Sequence, residues 1–249
     1  MNAYMVLLAP ILPEPHRQEW LDDLTRLSIV LIDHYYNWDE NLFYLASDKP
    51  ADRDPKVSGT DFGHTIKSFW MIRWTGVLTG NPRLVESGGR RVLERAYRNG
   101  SWVSGVKADG ALDLDKSWWI YAELDQFAAT LSIQDPTLAA QYLDRTYDYW
   151  QRYFVDPLHG EVWTTVSGAT NLPIGDLPKQ WPWKNGYHSL EHALVAYITA
   201  AARAGEAVTL YFAATEPGVD FRPYFFQASG ASGEAREGCV IAVRFDGVR

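Results

Sequence analysis

Before Gly205 the apolar positions of the chain recur three and four residues apart, and after it they alternate. The first period is that of an amphipathic helix and the second that of a short strand. Asn2 to Leu12 is apolar with prolines at 10 and 13, the pattern of a helix coming to its end. Trp20, Leu24, Leu27, Leu31 and Tyr35 predict a helix over 15–37, opened by Pro15. Ile66, Phe69, Trp70 and Trp74 predict a second, starting near Asp61 or Thr65. Further helices are expected over 82–99, between Gly80-Asn81-Pro82 and Asn99-Gly100, and over 115–133, 136–154 and 188–204. Residues 46–59 read as exposed loop, 100–112 as glycine-rich loop, 156–161 as a turn and 160–180 as a long irregular loop.

After Gly205, residues 208–213, 222–226 and 239–245 read as three strands, joined by turns at 214–221 and 227–238. Two regions are expected: a helical body over 1–205 and a strand extension over 206–249 packed on it. The connections between helices alternate between short and long. That suits a ring of helical hairpins with the longer loops gathered on one face.

Composition removes several classes of function. With a net charge of −8 and a pI near 5.2, the chain lacks the basic face that a nucleic-acid partner needs. Cys239 is the single cysteine, so neither an intramolecular disulfide nor a cysteine-based zinc site is expected, and a reducing, cytoplasmic setting fits. No apolar run has the length of a membrane span, and Met1 to Leu12 lacks the basic segment and cleavage site of a signal peptide. Eleven tryptophans and fourteen tyrosines supply flat apolar surfaces with polar edges, which suit sugar rings as well as an aromatic core.

Two stretches carry chemistry. Asp61-Phe-Gly-His-Thr-Ile-Lys67 sets His64 at the opening of one helix. Trp181-Pro-Trp-Lys-Asn-Gly-Tyr-His188 is an aromatic loop that delivers His188 to the opening of another. Loops held on a rigid scaffold are where polar groups meet substrate. His188-Ser-Leu-Glu-His192 also fits H-x-x-E-H, in which two histidines four apart would share a zinc ion and Glu191 would act as base. That reading needs a third ligand on a downstream helix, and the chain turns to strands there. Toroidal glycoside hydrolases would need two opposed carboxylates, and no such pair stands out.

Four motifs in order resemble the N-acylglucosamine 2-epimerase family, which includes cellobiose 2-epimerases and related aldose–ketose isomerases. They are Asp61-Phe-Gly-His64, Lys116-Ser-Trp-Trp-Ile-Tyr-Ala-Glu123, Asp156-Pro-Leu-His-Gly-Glu161 and Trp183-Lys-Asn-Gly-Tyr-His188. They cover roughly residues 60–200 and resemble the C-terminal half of the family. The resemblance implies a mainly α fold, a partial (α/α)6 toroid with the site in its central funnel, here truncated and followed by a small β-sheet. It implies proton transfer at C2 of a free aldose or N-acyl-hexosamine through an ene-diol, without metal or other cofactor. His64 and His188 would be the acid–base pair, facing each other across one cavity. Trp118, Trp119, Glu123, Lys67 and Lys184 would bind the sugar. Lys67 stands where the family often has Glu and is expected to tune His64; Tyr121 stands where it often has Gln. An incomplete ring would expose an apolar face that invites self-association, such as a homodimer. A non-catalytic carbohydrate-binding remnant is the other outcome that such a half-ring allows.

Overall fold

The computed structural model describes residues 2–44, 60–81, 85–107, 109–175, 178–214, 221–236 and 240–249. The loop at 46–59, the helix start at Pro82 and Cys239 lie outside the described residues. The helices are α1 (Asn2–Leu8), α2 (His16–Val30), α3 (Phe62–Thr79), α4 (Val85–Ala96), α5 (Trp118–Ser132), α6 (Asp144–Tyr149) and α7 (Tyr187–Ala204). Each lies in a stretch whose apolar period predicts one. Local chemistry sets their ends. Asp61 is extended and accepts the His64 N–H at 2.7 Å, which caps α3 at its start. Gly80 and Gly205 close α3 and α7 in the left-handed region that a glycine enters without steric cost.

Helices alternate between two layers. α1, α3, α5 and α7 lie side by side within, while α2 packs on α3, α4 on α3 and α5, and the segment around α6 on α5. Gly88 and Gly89 allow α4 its close approach. A Cβ on Gly88 would meet the Phe69 ring at 2.7 Å, and one on Gly89 the Phe127 ring at 2.4 Å. The helix expected over 136–154 is not uniform: α6 is a short α-helical stretch between wide π-helical turns at Ala139–Leu143 and Trp150–Phe154. The glycine-rich loop contains short hairpins, the first pairing β3 (Tyr97–Arg98) with β4 (Ser101–Trp102) across Asn99-Gly100. Both turn residues are left-handed, as a two-residue hairpin requires. Two further ladders join β5 (Gly105–Val106) to β6 (Leu112–Asp113), and β7 (Lys116–Ser117) to β8 (Thr165–Val166) in the loop expected at 160–180.

The C-terminal sheet corrects one expectation. Its strands are β9 (Val208–Ala213), β10 (Gly230–Arg236) and β11 (Val240–Asp246), with β11 in the middle. Residues 222–226 are not a strand. Pro223 has no N–H to give a ladder, and Tyr224 has a left-handed φ of 62°. The small residues from Gly230 pair instead along all seven positions of β11. This edge strand needs only its backbone, because the apolar alternation lies on β11, where Ile241, Val243 and Phe245 are buried.

One core runs through helices and sheet, from Leu24, Trp70, Phe127 and Ile198 to Val208, Phe226 and Phe245. The edge formed by α1 and α2 leaves Tyr4, Leu8 and Val30 in part exposed. Among the described residues, no helix is long and apolar enough to cross a membrane.

α5 has almost no exposed face, yet it carries Glu123 and Asp125, both wholly buried. Asp125 ties four elements together. Its Oδ1 accepts from Trp102 Nε1 at 2.7 Å and Thr146 Oγ1 at 2.5 Å, and its Oδ2 lies 2.8 Å from His192 Nε2. Asp125→Ala strips all three groups of their partner at once. We expect a loss of about 3 kcal/mol or more in chemical denaturation, against less than half of that for Asp125→Asn, which keeps the shape and one acceptor.

Candidate active site at the openings of the inner helices

The inner helices α3, α5 and α7 open on one face. His64 lies on the first turn of α3, Trp119 on that of α5 and His188 on that of α7. The Trp119 indole joins the three. Its centre is 4.6 Å from the His64 ring and 6.0 Å from the His188 ring. The close fit depends on Gly63, where a Cβ would meet the indole at 2.6 Å. Asp61 does more than cap α3. Its second oxygen takes the His64 Nδ1 at 2.6 Å, so the neutral ring donates from Nδ1 and keeps Nε2 as its acceptor. His64 is half-exposed.

His188 meets two carboxylates. Its Nδ1 is 3.4 Å from Glu123 Oε1 and 3.6 Å from Glu191 Oε2. Both contacts are within ion-pair range, yet this buried nitrogen has no hydrogen bond of good geometry. Glu123 is held from the other side by Lys67 Nζ at 2.6 Å and Trp70 Nε1 at 2.9 Å. Glu191 accepts from Tyr187 at 3.1 Å, from the hydroxyl of Tyr224 and, on its other oxygen, from Gln126 at 3.3 Å. Burial pushes the Glu191 carboxyl up, but His188, Tyr224 and Lys67 together outweigh it and hold the group below its ordinary value. Burial and the neighbouring carboxylate raise the Tyr224 phenol well above its own, so it stays a donor.

Glu123, His188 and Glu191 each bring a ligand atom within 4.8 Å of the others, a set of the kind that can hold a cation. Lys67 already places an ammonium against Glu123. An incoming ion would compete with this covalently attached cation.

The structure places His64, Lys67, Trp119, Glu123 and His188 about one face, but not every candidate lies open to it. Lys67 was expected to tune His64; it pairs with Glu123 instead, and Asp61 is the residue on His64. Trp118 is buried, edge-on to His188 with ring centres 6.4 Å apart and Lys184 over its ring at 5.5 Å, so it packs the site rather than offering an open face to a sugar. Lys184 is also buried. It bonds Glu161 at 3.3 Å and the Lys179 carbonyl, which makes it a loop anchor rather than a ligand-facing group. Burial lowers its pKa despite Glu161. Tyr121 is a core residue that donates to the Thr146 carbonyl at 3.0 Å. His192 does not converge with His188; it turns to Asp125 and stacks on Trp150 at 4.3 Å, which takes the second histidine out of the H-x-x-E-H arrangement. Reasoning from sequence gave no site role to Asp61, Trp70, Tyr187 or Tyr224. Only Asp61 and Tyr187 carried a signal, as neighbours of the two histidines in their motifs.

Helical hairpins in two layers, with the inner helices opening on one face, form a partial (α/α)6 toroid. No family model matches the chain. Cellobiose 2-epimerase of Eubacterium cellulosolvens is 25% identical to it over 97 residues, which is 36% of this chain and 24% of that protein. The solved cellobiose 2-epimerase from Spirochaeta thermophila DSM 6192 superposes with a TM-score of 0.59 at 24% identity, over 75% of this chain and 47% of that one. That from Bacillus thermoamylovorans B4167 gives 0.63 at 16% identity, over 80% and 51%. A D-mannose isomerase gives 0.55 at 19% identity, over 74% and 52%. The resemblance to the N-acylglucosamine 2-epimerase and cellobiose 2-epimerase family thus holds over part of the chain, in sequence for the first protein and in fold for the solved ones. The chain spans about half the length of the solved structures it matches.

Two predictions concern the supports of this site. Lys67→Met leaves the buried Glu123 without its cation. We expect a loss of about 3 kcal/mol in denaturant unfolding, the low end for a broken buried pair because Lys67 is part-exposed. The second concerns the loop that delivers His188. Asp156 anchors it, bonded by Lys179 at 2.5 Å and by the N–H groups of Leu158 and His159. The Lys179 bond and those N–H groups lower its pKa to about 2. A carboxylate depressed in the folded state contributes stability above its unfolded pKa and loses it as pH falls through the folded one. Melting temperatures followed from about pH 4 to about pH 2 should therefore fall more steeply in the parent than in Asp156→Asn.

Proposed function

We propose that this chain carries the acid–base half of a sugar 2-epimerase or aldose–ketose isomerase, acting on a free aldose or N-acyl-hexosamine. The observation that supports it best is the Trp119 indole in contact with both His64 and His188. Two rings on one indole can be no further apart than the sum of their distances from it.

In this reading the open-chain aldose lies against Trp119 with C2 between the imidazoles. One imidazole takes the C2 proton. The C–H electron pair becomes the C1–C2 double bond, and the carbonyl π pair moves onto O1, which is protonated to complete the ene-diol. When C1=O re-forms and the other imidazole returns a proton to the opposite face of C2, the product is the epimer. When O2 gives up its proton, a carbonyl forms at C2 and the proton goes to C1, the product is the ketose. The first turns of α3, α5 and α7 bring the positive ends of three helix dipoles to the face where O1 gains charge. His64 suits the role of base, with Nδ1 on Asp61 and Nε2 free. His188 works beside Glu123 and Glu191. The ammonium of Lys67, with about a quarter of its side chain exposed, is available to a hydroxyl.

The test is solvent exchange. The protein is incubated in D2O with D-glucose, D-mannose, N-acetylglucosamine and cellobiose in turn, and deuterium at C2 is followed by NMR. We expect exchange with one of them, reduced at least about 100-fold in His64→Asn and in His188→Asn with the fold intact by circular dichroism. Exchange at the parent rate in either variant would remove that histidine from the mechanism.

A further inference from the structure

The segment 221–226 returns from the sheet to the helical body and reaches the site at two consecutive residues. Tyr224 donates its hydroxyl to Glu191 Oε1, the oxygen that also accepts from Tyr187. Phe225 stacks on Trp70 with ring centres 5.7 Å apart and planes at 17°, and Trp70 holds Glu123 through its Nε1. One short turn thus supports, directly or through one side chain, both carboxylates that face His188 Nδ1. The backbone accepts a cost for this. The φ of 62° at Tyr224 is uncommon for a residue with a Cβ, and such positions persist where the surroundings over-determine them. Bonds from Tyr224 N to the Arg222 carbonyl at 2.9 Å and from Phe226 N to the Pro223 carbonyl at 3.2 Å fix the turn.

Among the described residues, the charged and titratable groups around His188 include Glu123 with Lys67 on it from α5 and α3, Glu191 and Tyr187 from α7, Tyr224 from the turn, Lys184 beyond Trp118, and His64 with Asp61 across the Trp119 indole. Glu191 is held on both oxygens, with Gln126 on Oε2 at 3.3 Å. Its Oε1 is occupied by two hydroxyls, and its Oε2 stands 3.6 Å from Nδ1, short of a hydrogen bond.

We propose that Tyr224 is a positioning residue of the site: its hydroxyl holds Glu191 back from His188, so that His188 can both give and take a proton. This rests on the acid–base role of His188 proposed above. A carboxylate free to swing onto Nδ1 would form a close ion pair and lock the ring in its protonated state. The two hydroxyls draw the carboxylate's charge toward Oε1 and keep it at a distance where it orients the imidazole without trapping the proton.

The experiment compares the parent, Tyr224→Phe, and Tyr197→Phe as a control whose exposed hydroxyl meets Thr209 far from the cluster. Ring nitrogens of His188 are followed by proton–nitrogen NMR through a pH titration, with the signals assigned from His188→Asn. In Tyr224→Phe the midpoint for His188 should move to higher pH by about half a unit or more. Tyr187→Phe, which removes the other hydroxyl from the same oxygen, should move it in the same direction, and Tyr197→Phe should leave it in place. In the exchange assay, kcat in Tyr224→Phe should fall several-fold with KM little changed, and its pH optimum should move upward with the ring. An unmoved midpoint in both Tyr224→Phe and Tyr187→Phe overturns the proposal, whatever happens to the melting temperature. If the parent exchanges no sugar, the function proposed above fails, and the ring titration still decides whether Tyr224 holds Glu191 off His188.

Discussion

Two carboxylates on a helix with no open face set the terms for this molecule. Glu123 and Asp125 lie two residues apart on α5, so they point to different sides of it, and each must find compensation where it points. Asp125 finds it in the core, from an indole, a hydroxyl and an imidazole on three other elements. Glu123 finds it at the face where the inner helices open, from Lys67, Trp70 and His188. The first set fixes how β4, α6 and α7 stand around α5. The second fixes how α3 and α7 present their histidines. Burial of charge costs several kcal/mol per ion unless it is answered in full, so neither set can loosen without the other elements moving. Scaffold and site are in this sense one electrostatic problem solved twice along one helix.

Lys67 shows how the second solution departs from the family pattern. Where the resemblance leads one to expect an acidic residue, the chain has a cation. It has also placed a second carboxylate, Glu191, on the facing helix, and Lys67 helps to keep that carboxylate ionised. Two carboxylates and one ammonium surround His188.

Periodicity made the helices and their ends readable, because capping residues such as Asp61, Gly80 and Gly205 act locally. The two histidines were readable because each follows a glycine or an aromatic in a motif at a helix start. What could not be read depends on contacts between distant segments. Trp118 and Trp119 are neighbours in sequence and both border His188, but one is buried and the other part-exposed beside His64, and the motif does not say which. Lys184 reads as a sugar ligand in its motif until Glu161, on another turn of the loop, is seen beside it. His192 reads as the partner of His188 until Asp125 claims it. The run Arg222-Pro-Tyr-Phe-Phe226 has the aromatic content of a strand. Its proline and the left-handed Tyr224 make it a turn, and the small residues of β10 take the place beside β11.

The continuous core has a consequence for how such chains can be rebuilt by exchange of parts. Trp70 and Trp74 of α3 have Phe225 and Phe226 of the C-terminal segment against them. A gene fusion that joined this helical body to a foreign tail would strip those indoles of their cover, and the transplanted sheet would arrive with aromatic rings that had no socket. Body and tail are therefore expected to be inherited together, and grafts between relatives to succeed only where the junction lies outside the whole of the segment from α3 to Val248.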